Sequence, residues 1–193
     1  MNKIKYFLIA LTLTGCTALP SPHIENTHLY LLDAKPAATN AAKHNQVLTI
    51  SPITARPGYD TPQIAYLRQP LELEYFATHR WADTPARMLK PLLLQALSPQ
   101  YITAAPGQVA SNLRLDTELI RLQQDFTSHP SRVVITLRAQ LIDVQEKRII
   151  AVKVFDETEP SDSEDAYGGV LAANRALLRV LTQLAEFCNT AIK

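Results

Sequence analysis

The stretch LRLDTELIRL (113–122), followed by RVVITLRAQLID (132–143) and KRIIAVKVF (147–155), decides the fold. In the first segment Leu113, Leu115, Thr117 and Leu119 alternate with Arg114, Asp116, Glu118 and Ile120. In the second, Val133, Ile135, Leu137, Ala139 and Leu141 share one face, and in the third Ile150, Val152 and Val154 do. Successive side chains on a strand point to opposite faces, so each segment reads as a strand with one greasy side. Short polar links join them. Three such strands in a row predict an antiparallel meander covered on one face only.

Two segments have the helical period needed to cover that face. After the meander, Val170, Ala173, Leu177, Leu181, Leu184, Cys188 and Ala191 recur at helical spacing, with Arg175 and Arg179 on the other side. Before it, Met88, Leu89, Leu92, Leu93, Ala96 and Leu97 do the same through Ser98. Asp83 or Thr84 is placed to cap that earlier helix and Pro85 suits its first position. Pro91 removes a backbone hydrogen bond inside it and predicts a kink or a split.

Further toward the N-terminus, HLYLLD (28–33) and VLTISPI (47–53) read as strands, with a loop at 34–45 between them. RPGYD (56–60) has turn chemistry. Ile64–Leu67 and Leu71–Phe76 read as a hairpin joined by Arg68-Gln69-Pro70. On its second strand Leu71, Leu73 and Tyr75 share a face and Phe76 lies on the other. The layout of strands, helix, three strands and helix predicts an α+β, two-layer domain. Its sheet is mostly antiparallel, with two long helices packed on one face.

The chain begins with Lys3 and Lys5, an apolar run from Tyr6 to Leu13, and then Leu13-Thr14-Gly15-Cys16. This order of charged, apolar and small residues is that of a secretory signal. The last four residues resemble a bacterial lipobox. Residues 1–15 then form a lipoprotein signal peptide and Cys16 the lipidated first residue of the mature chain. The apolar run is shorter than the roughly 20 residues a spanning helix needs. Residues 16–27, polar with two prolines after the cysteine, read as a tether, and 28–193 as the folded domain. Thr17, in place of an aspartate, favours the outer membrane over retention at the inner one.

Net charge is +1, from 19 basic and 18 acidic residues, which gives no reason to expect nucleic acid. Only two cysteines occur, so lipid on Cys16 leaves Cys188 without a disulfide partner; its place on the apolar stripe predicts a buried thiol. Histidines and cysteines show no zinc spacing, and no metal or other cofactor is expected. The acidic run at 156–165 lacks EF-hand spacing and reads as a solvated loop before the last helix. None of Ser51, Ser98, Ser111 and Ser128 sits in a G-x-S-x-G elbow that would pair with His23, His28, His44, His79 or His129, which disfavours an esterase.

The segment from Arg56 to Ser98 resembles the centre of the ABC-type transport auxiliary lipoproteins, the PqiC-like family. Tyr30-Leu31-Leu32 matches the family's strand after the tether. Trp81-Ala82 matches the pair before its first long helix, and Gly168-Gly169 the entry to its last. The resemblance implies a non-catalytic accessory lipoprotein, facing the periplasm. Its transporter has a membrane-spanning component with an MCE (mammalian cell entry) domain and moves lipids or other hydrophobic molecules. In agreement, there is no G-x-x-x-x-G-K run. A second copy of the chain and a lipid ligand are further candidate partners. Around the hairpin, Tyr66, Phe76, His79, Arg80 and Trp81 are the candidate partner interface, since Trp and Arg are enriched at binding hot spots. The plainer reading of Trp81 is a core residue under the first helix. A scaffold lipoprotein of another envelope assembly is the alternative function.

Overall fold

The structure, a computed structural model, describes residues 26–35 and 43–192. Cys16, the signal segment and most of the tether and of the 34–45 loop lie outside the described residues.

The meander forms as read, and longer. Strands β7 (Leu113–Asp125), β8 (Arg132–Asp143) and β9 (Arg148–Pro160) pair antiparallel along nearly their whole lengths. The other edge of β7 is shared by three short strands lying end to end and parallel to it. β2 (Val47–Ile50) pairs with its first turn-ward residues, β3 (Thr54–Ala55) with Glu118 and Leu119, and β4 (Gln63–Leu67) with Gln123 to Asp125. β4 turns into β5 (Leu73–Trp81), and β1 (His28–Tyr30) lies parallel against the end of β5. β6 (Ile102–Ala104) closes the opposite side against β2. Of the pairings, five are parallel but short, while the antiparallel ones hold most of the registered residues. Two of these short strands, β3 and β6, have no periodicity of their own and are not legible in the sequence.

Helices α1 (Pro85–Leu97) and α2 (Ala166–Ala191) cover one face. Leu89, Leu93 and Leu97 of α1 and Leu177, Leu181 and Leu184 of α2 join Leu48, Leu115, Leu119, Ile135, Leu137 and Leu141 in one buried cluster. Pro91 does not split α1, which runs unbroken through it. Pro91 sits on the solvent side, and the leucines before and after it are held by the core. Thr84 is the N-cap without a side-chain cap bond; instead Asp83 accepts the Thr84 N–H at 2.7 Å and pairs with Arg87 at 3.5 Å. Cys188 is buried, and burial pushes its thiol up to about 12. It is an inert hydrophobe at neutral pH.

Three expectations change. Leu71 is not on a strand: it sits in the hairpin turn, fully exposed, with a φ of 69°. β5 therefore starts at Leu73 and runs on to Trp81. The face of the third meander strand also differs. Phe155, not Val152 or Val154, reaches the core, while Ile149, Val152 and Val154 are 54 %, 46 % and 52 % exposed. A bulge between Ile149 and Ala151 shifts the alternation, and by register Val152 and Val154 lie opposite Gln140 and Arg138 on the face away from the helices.

The third change concerns the acidic run, half of which is not a loop. Residues 156–160 continue β9, and Glu157 and Glu159 point at α2. Arg175 pairs with Glu159 at 2.7 Å and Asp162 at 2.8 Å, and Arg179 with Glu157 and Glu159 at 2.7 Å each. Burial would raise the Glu159 carboxyl, but the two guanidinium groups outweigh it and hold it below the usual range. Asp165 caps α2 by accepting the Gly168 N–H at 2.7 Å, the largest cause of its own lowered pKa.

Candidate functional site: an aromatic groove at the sheet edge

The β4–β5 hairpin has two different faces. Leu73 and Tyr75 lie against the 56–60 turn, where Gly58 takes a φ of 92° and its carbonyl accepts the Tyr75 hydroxyl at 3.0 Å. Tyr59 in the same turn bonds Gln123 of β7. This packing lies away from the helices. Tyr66 and Phe76 face the other way, toward the start of α2.

On that side the fold gathers rings from distant parts of the chain. The Tyr66 and Phe76 centroids are 4.5 Å apart, and Phe126, just beyond β7, stands edge-on to Tyr66 at 5.8 Å. Phe76 lies 5.9 Å from His79, which stacks on His28 at 4.9 Å and on Tyr30 at 5.8 Å. Tyr30 in turn meets Tyr167 of α2 at 6.2 Å. Parallel pairing of β1 with β5, His28 opposite His79 and Tyr30 opposite Trp81, produces this ladder.

Tyr66, Phe76 and Phe126 line an open groove of about 390 Å³ with Arg68 and Glu164 at its margins. The Arg68 guanidinium lies 5.3 Å over the Tyr66 ring, a cation–π geometry. Tyr66 donates its hydroxyl to Glu74 at 2.8 Å; burial first, and this bond second, raise its pKa. Glu164 accepts the Ser131 N–H at 2.8 Å, which holds its carboxyl low, and stands 3.7 Å from His129. Apolar walls with one cation and one anion at the margins suit an amphipathic segment or molecule.

From the groove the ring ladder leads through His79 and Tyr30 to Tyr167, exposed at the start of α2. The chain after β1 runs along α2, where Asn174 accepts the Asp33 N–H at 2.7 Å and donates to the Leu31 carbonyl at 3.1 Å. Leu32 turns inward and Leu31 is exposed, while Leu29, in register with Arg80, projects into solvent on the face away from the groove. Among the described residues, the edge of β5 from 73 to 78 also has no strand partner, because β1 covers only 79–81.

Of the residues singled out in the sequence, Tyr66, Phe76 and His79 come together here. Phe76 is half-buried against its neighbouring rings, forming a wall of the groove, not a free aromatic. Arg80 is exposed on the alternate side of β5. Trp81 is only 3 % exposed, packed with Ile64, Leu122, Val133 and Ala173 beside the start of α2 and not under α1 alone. Sequence reasoning missed Arg68, Phe126, Glu164 and Tyr167. All four sit in turns or a helix start, where no period marks them, and only the fold places them together. Among the described residues no histidine ring is hydrogen-bonded to a serine, and no group of three or more metal-ligating side chains is placed to hold an ion. No helix among them is long and apolar enough to cross a membrane.

The chain from residue 30 to 185 matches the ABC-type transport auxiliary lipoprotein component family, and it belongs to that family. Comparison with curated proteins finds no match. Among solved structures it is similar to protein XCC0632 from Xanthomonas campestris, with 24% identity and a TM-score of 0.77 over 84% of this chain and 95% of that one. An uncharacterized protein shares 13% identity with a TM-score of 0.70, covering 85% and 99% of the two chains. Protein CT253 from Chlamydia trachomatis shares 8% identity with a TM-score of 0.55, covering 77% and 98%. These likenesses are of fold. The family is one of lipoprotein components of transport systems, which gives the chain its class.

Proposed function

We propose that this protein is the membrane-anchored accessory subunit of an MCE/ABC-type system that moves lipids or other hydrophobic molecules across the envelope. In this reading residues 1–15 are removed and Cys16 carries the lipid. Each buried methylene contributes about 0.8 kcal/mol, so two or more acyl chains anchor stably. Residues 16–27 tether the domain at the periplasmic side of the outer membrane, and the domain does no chemistry of its own. Its work is to hold the MCE-domain partner. The observation that carries this reading is the aromatic groove and the ring ladder that leads from it to exposed Tyr167, within a member of a transport-auxiliary family. Apolar surface of this kind, rimmed by charge, marks interaction sites.

Two measurements test it. Intact mass of the detergent-extracted protein is expected to equal residues 16–193 plus a lipid adduct, and a water-soluble, unmodified mature chain would reject the anchor. Crosslinking and pull-down from intact envelopes is expected to recover an MCE-domain protein. Tyr167→Glu is expected to lower that recovery at least tenfold, the cost of desolvating charge at an interface. The Tyr167 side chain is exposed, so thermal stability should not move. Recovery of an unrelated assembly would favour the scaffold reading instead.

A further inference from the structure

The face of the sheet away from the helices has a concavity of its own. Leu67 of β4, Leu73 of β5, Leu71 of the turn between them, Tyr59, Arg121 and Gln123 line a pocket of about 340 Å³. Register builds it. Leu67 lies opposite Leu73, and Ala65 stands between Tyr75 and Gln123, so these side chains share the face that Tyr66 does not. The hairpin supplies the apolar walls and β7 supplies the polar groups. Leu71 is the odd member. Its φ of 69° is one that leucine adopts only at a cost, and its side chain is fully exposed. Glycine would take that turn without strain. A leucine held at the rim of a pocket gains only when something apolar lies against it.

The polar groups select the sign of what binds. Gln123 is only 7 % exposed, and its Oε1 accepts the Tyr59 hydroxyl. Among the described residues nothing accepts from its amide N–H groups. A buried donor left unpaired is costly, so a site that keeps one marks a place for an acceptor. Arg121, two residues earlier on the same strand, is exposed and has no carboxylate partner among the described residues. It stands close enough to Tyr59 to oppose the rise that burial gives that hydroxyl's pKa. Nearby acids are engaged elsewhere. Glu118 pairs with Arg56 at 3.4 Å, Asp125 accepts the Thr127 N–H at 2.9 Å and pairs with Arg132 at 3.3 Å, and Glu72 accepts from Gln69. A cationic headgroup would meet only acids already taken, whereas an anion would meet two free donors.

We propose that this pocket binds a single-chain amphipathic anion, a fatty-acid carboxylate. The acyl chain lies among Leu67, Leu71 and Leu73, and the carboxylate accepts from the Gln123 amide and the Arg121 guanidinium. Hydrogen bonds from a charged donor to a carboxylate are the strong ones, so Arg121 carries the selection for the acid. The volume is at the low end of the range for small-molecule sites, which suits one chain and not two. The partner reading uses the other face of the hairpin, so the two stand independently.

Photolabelling of the full chain in phosphatidylcholine vesicles tests this. The probe is dodecanoate with a diazirine at the end of its chain. Labelled peptides are expected to map to 59–73 and 121–123, and unlabelled dodecanoate should compete. The methyl ester of the probe, and a two-chain phosphatidylglycerol with the same photoreactive group, should label those segments at least fivefold less. Arg121→Gln should lower labelling by the acid at least fivefold and leave the ester unchanged. Leu71→Gly should lower it too, with Tm unchanged or raised because the positive φ is relieved. Both side chains are exposed, so neither variant threatens the fold. Labelling spread evenly over the surface, equal labelling by either control, or full labelling of Arg121→Gln would each overturn the proposal. Recovery of the MCE-domain partner by Arg121→Gln should stay at the wild-type level, which separates failure here from failure of that reading.

Discussion

Gly168→Ala is expected to destabilise the protein by about 2–3 kcal/mol, although the same change inside a helix ordinarily stabilises. The reason is local. Asp165 caps α2 by accepting the Gly168 N–H, and the Ser163 hydroxyl donates to the same carboxylate at 2.7 Å. This folds the 163–165 segment tightly onto the first turn. A Cβ on Gly168 would run into the Ser163 carbonyl oxygen and lie 2.7 Å from its nitrogen. Backbone cannot swing aside as a side chain can, so the cap or the turn must open. Gly169→Ala meets a side chain instead, the Gln124 amide, with Cδ at 2.7 Å. Gln124 is buried and bonded to Ser131 and Ser161, so a smaller but clear loss is expected. Gly107→Ala has open space and only a φ of 80° against it, and about 1 kcal/mol is expected. Urea or thermal unfolding should rank the three in that order. Wild-type stability in Gly168→Ala would mean that the 163–165 turn yields freely and does not fix the start of α2.

Trp81→Ala is expected to cost about 3–5 kcal/mol, the range for removing a large aromatic from a core. For a domain of this size that is a fall in Tm of roughly 6–20 °C. Trp81 ends β5, where its backbone N–H donates to the Pro62 carbonyl at 2.7 Å, and its ring fills space between the sheet and α2. It is the only tryptophan, so its fluorescence should be blue-shifted in the native state and move to the red on unfolding. Partner recovery per folded molecule should stay near the wild-type level. The opposite pattern, intact stability with lost partner recovery, would put Trp81 at the interface and not in the core.

These two residues also show how far the sequence could be read. Gly168-Gly169 and Trp81 drew notice as family landmarks, but the sequence did not say what each glycine makes room for. Phe76 was placed correctly on the strand face opposite Leu73 and Tyr75. That its face is the one turned toward α2, with Phe126 from the end of β7 and Tyr30 from β1 beside it, depended on pairings between segments up to a hundred residues apart. The groove is thus legible only as scattered aromatics until the sheet order is known.

Periodicity determined the parts of this protein whose apolar residues repeat often enough to leave one solution. The long meander strands and both helices are of that kind, and with them the two-layer α+β architecture and the buried Cys188. Where repeats are too few, tertiary structure decided. β3 and β6 are strands because β7 and β2 offer them an edge, not because two or three residues prefer to be extended. β9 is the clearest case. Its alternation stated that two faces differ, and Ile150, Val152 and Val154 looked like the inner one. A bulge near Ile150 shifts the parity, and Arg175 and Arg179 of α2 draw Glu157 and Glu159 to the helix side, with Phe155 beneath. Those ion pairs form only when helix and strand are already side by side. Period two fixes which residues share a face; only what packs against the strand fixes which face is inside.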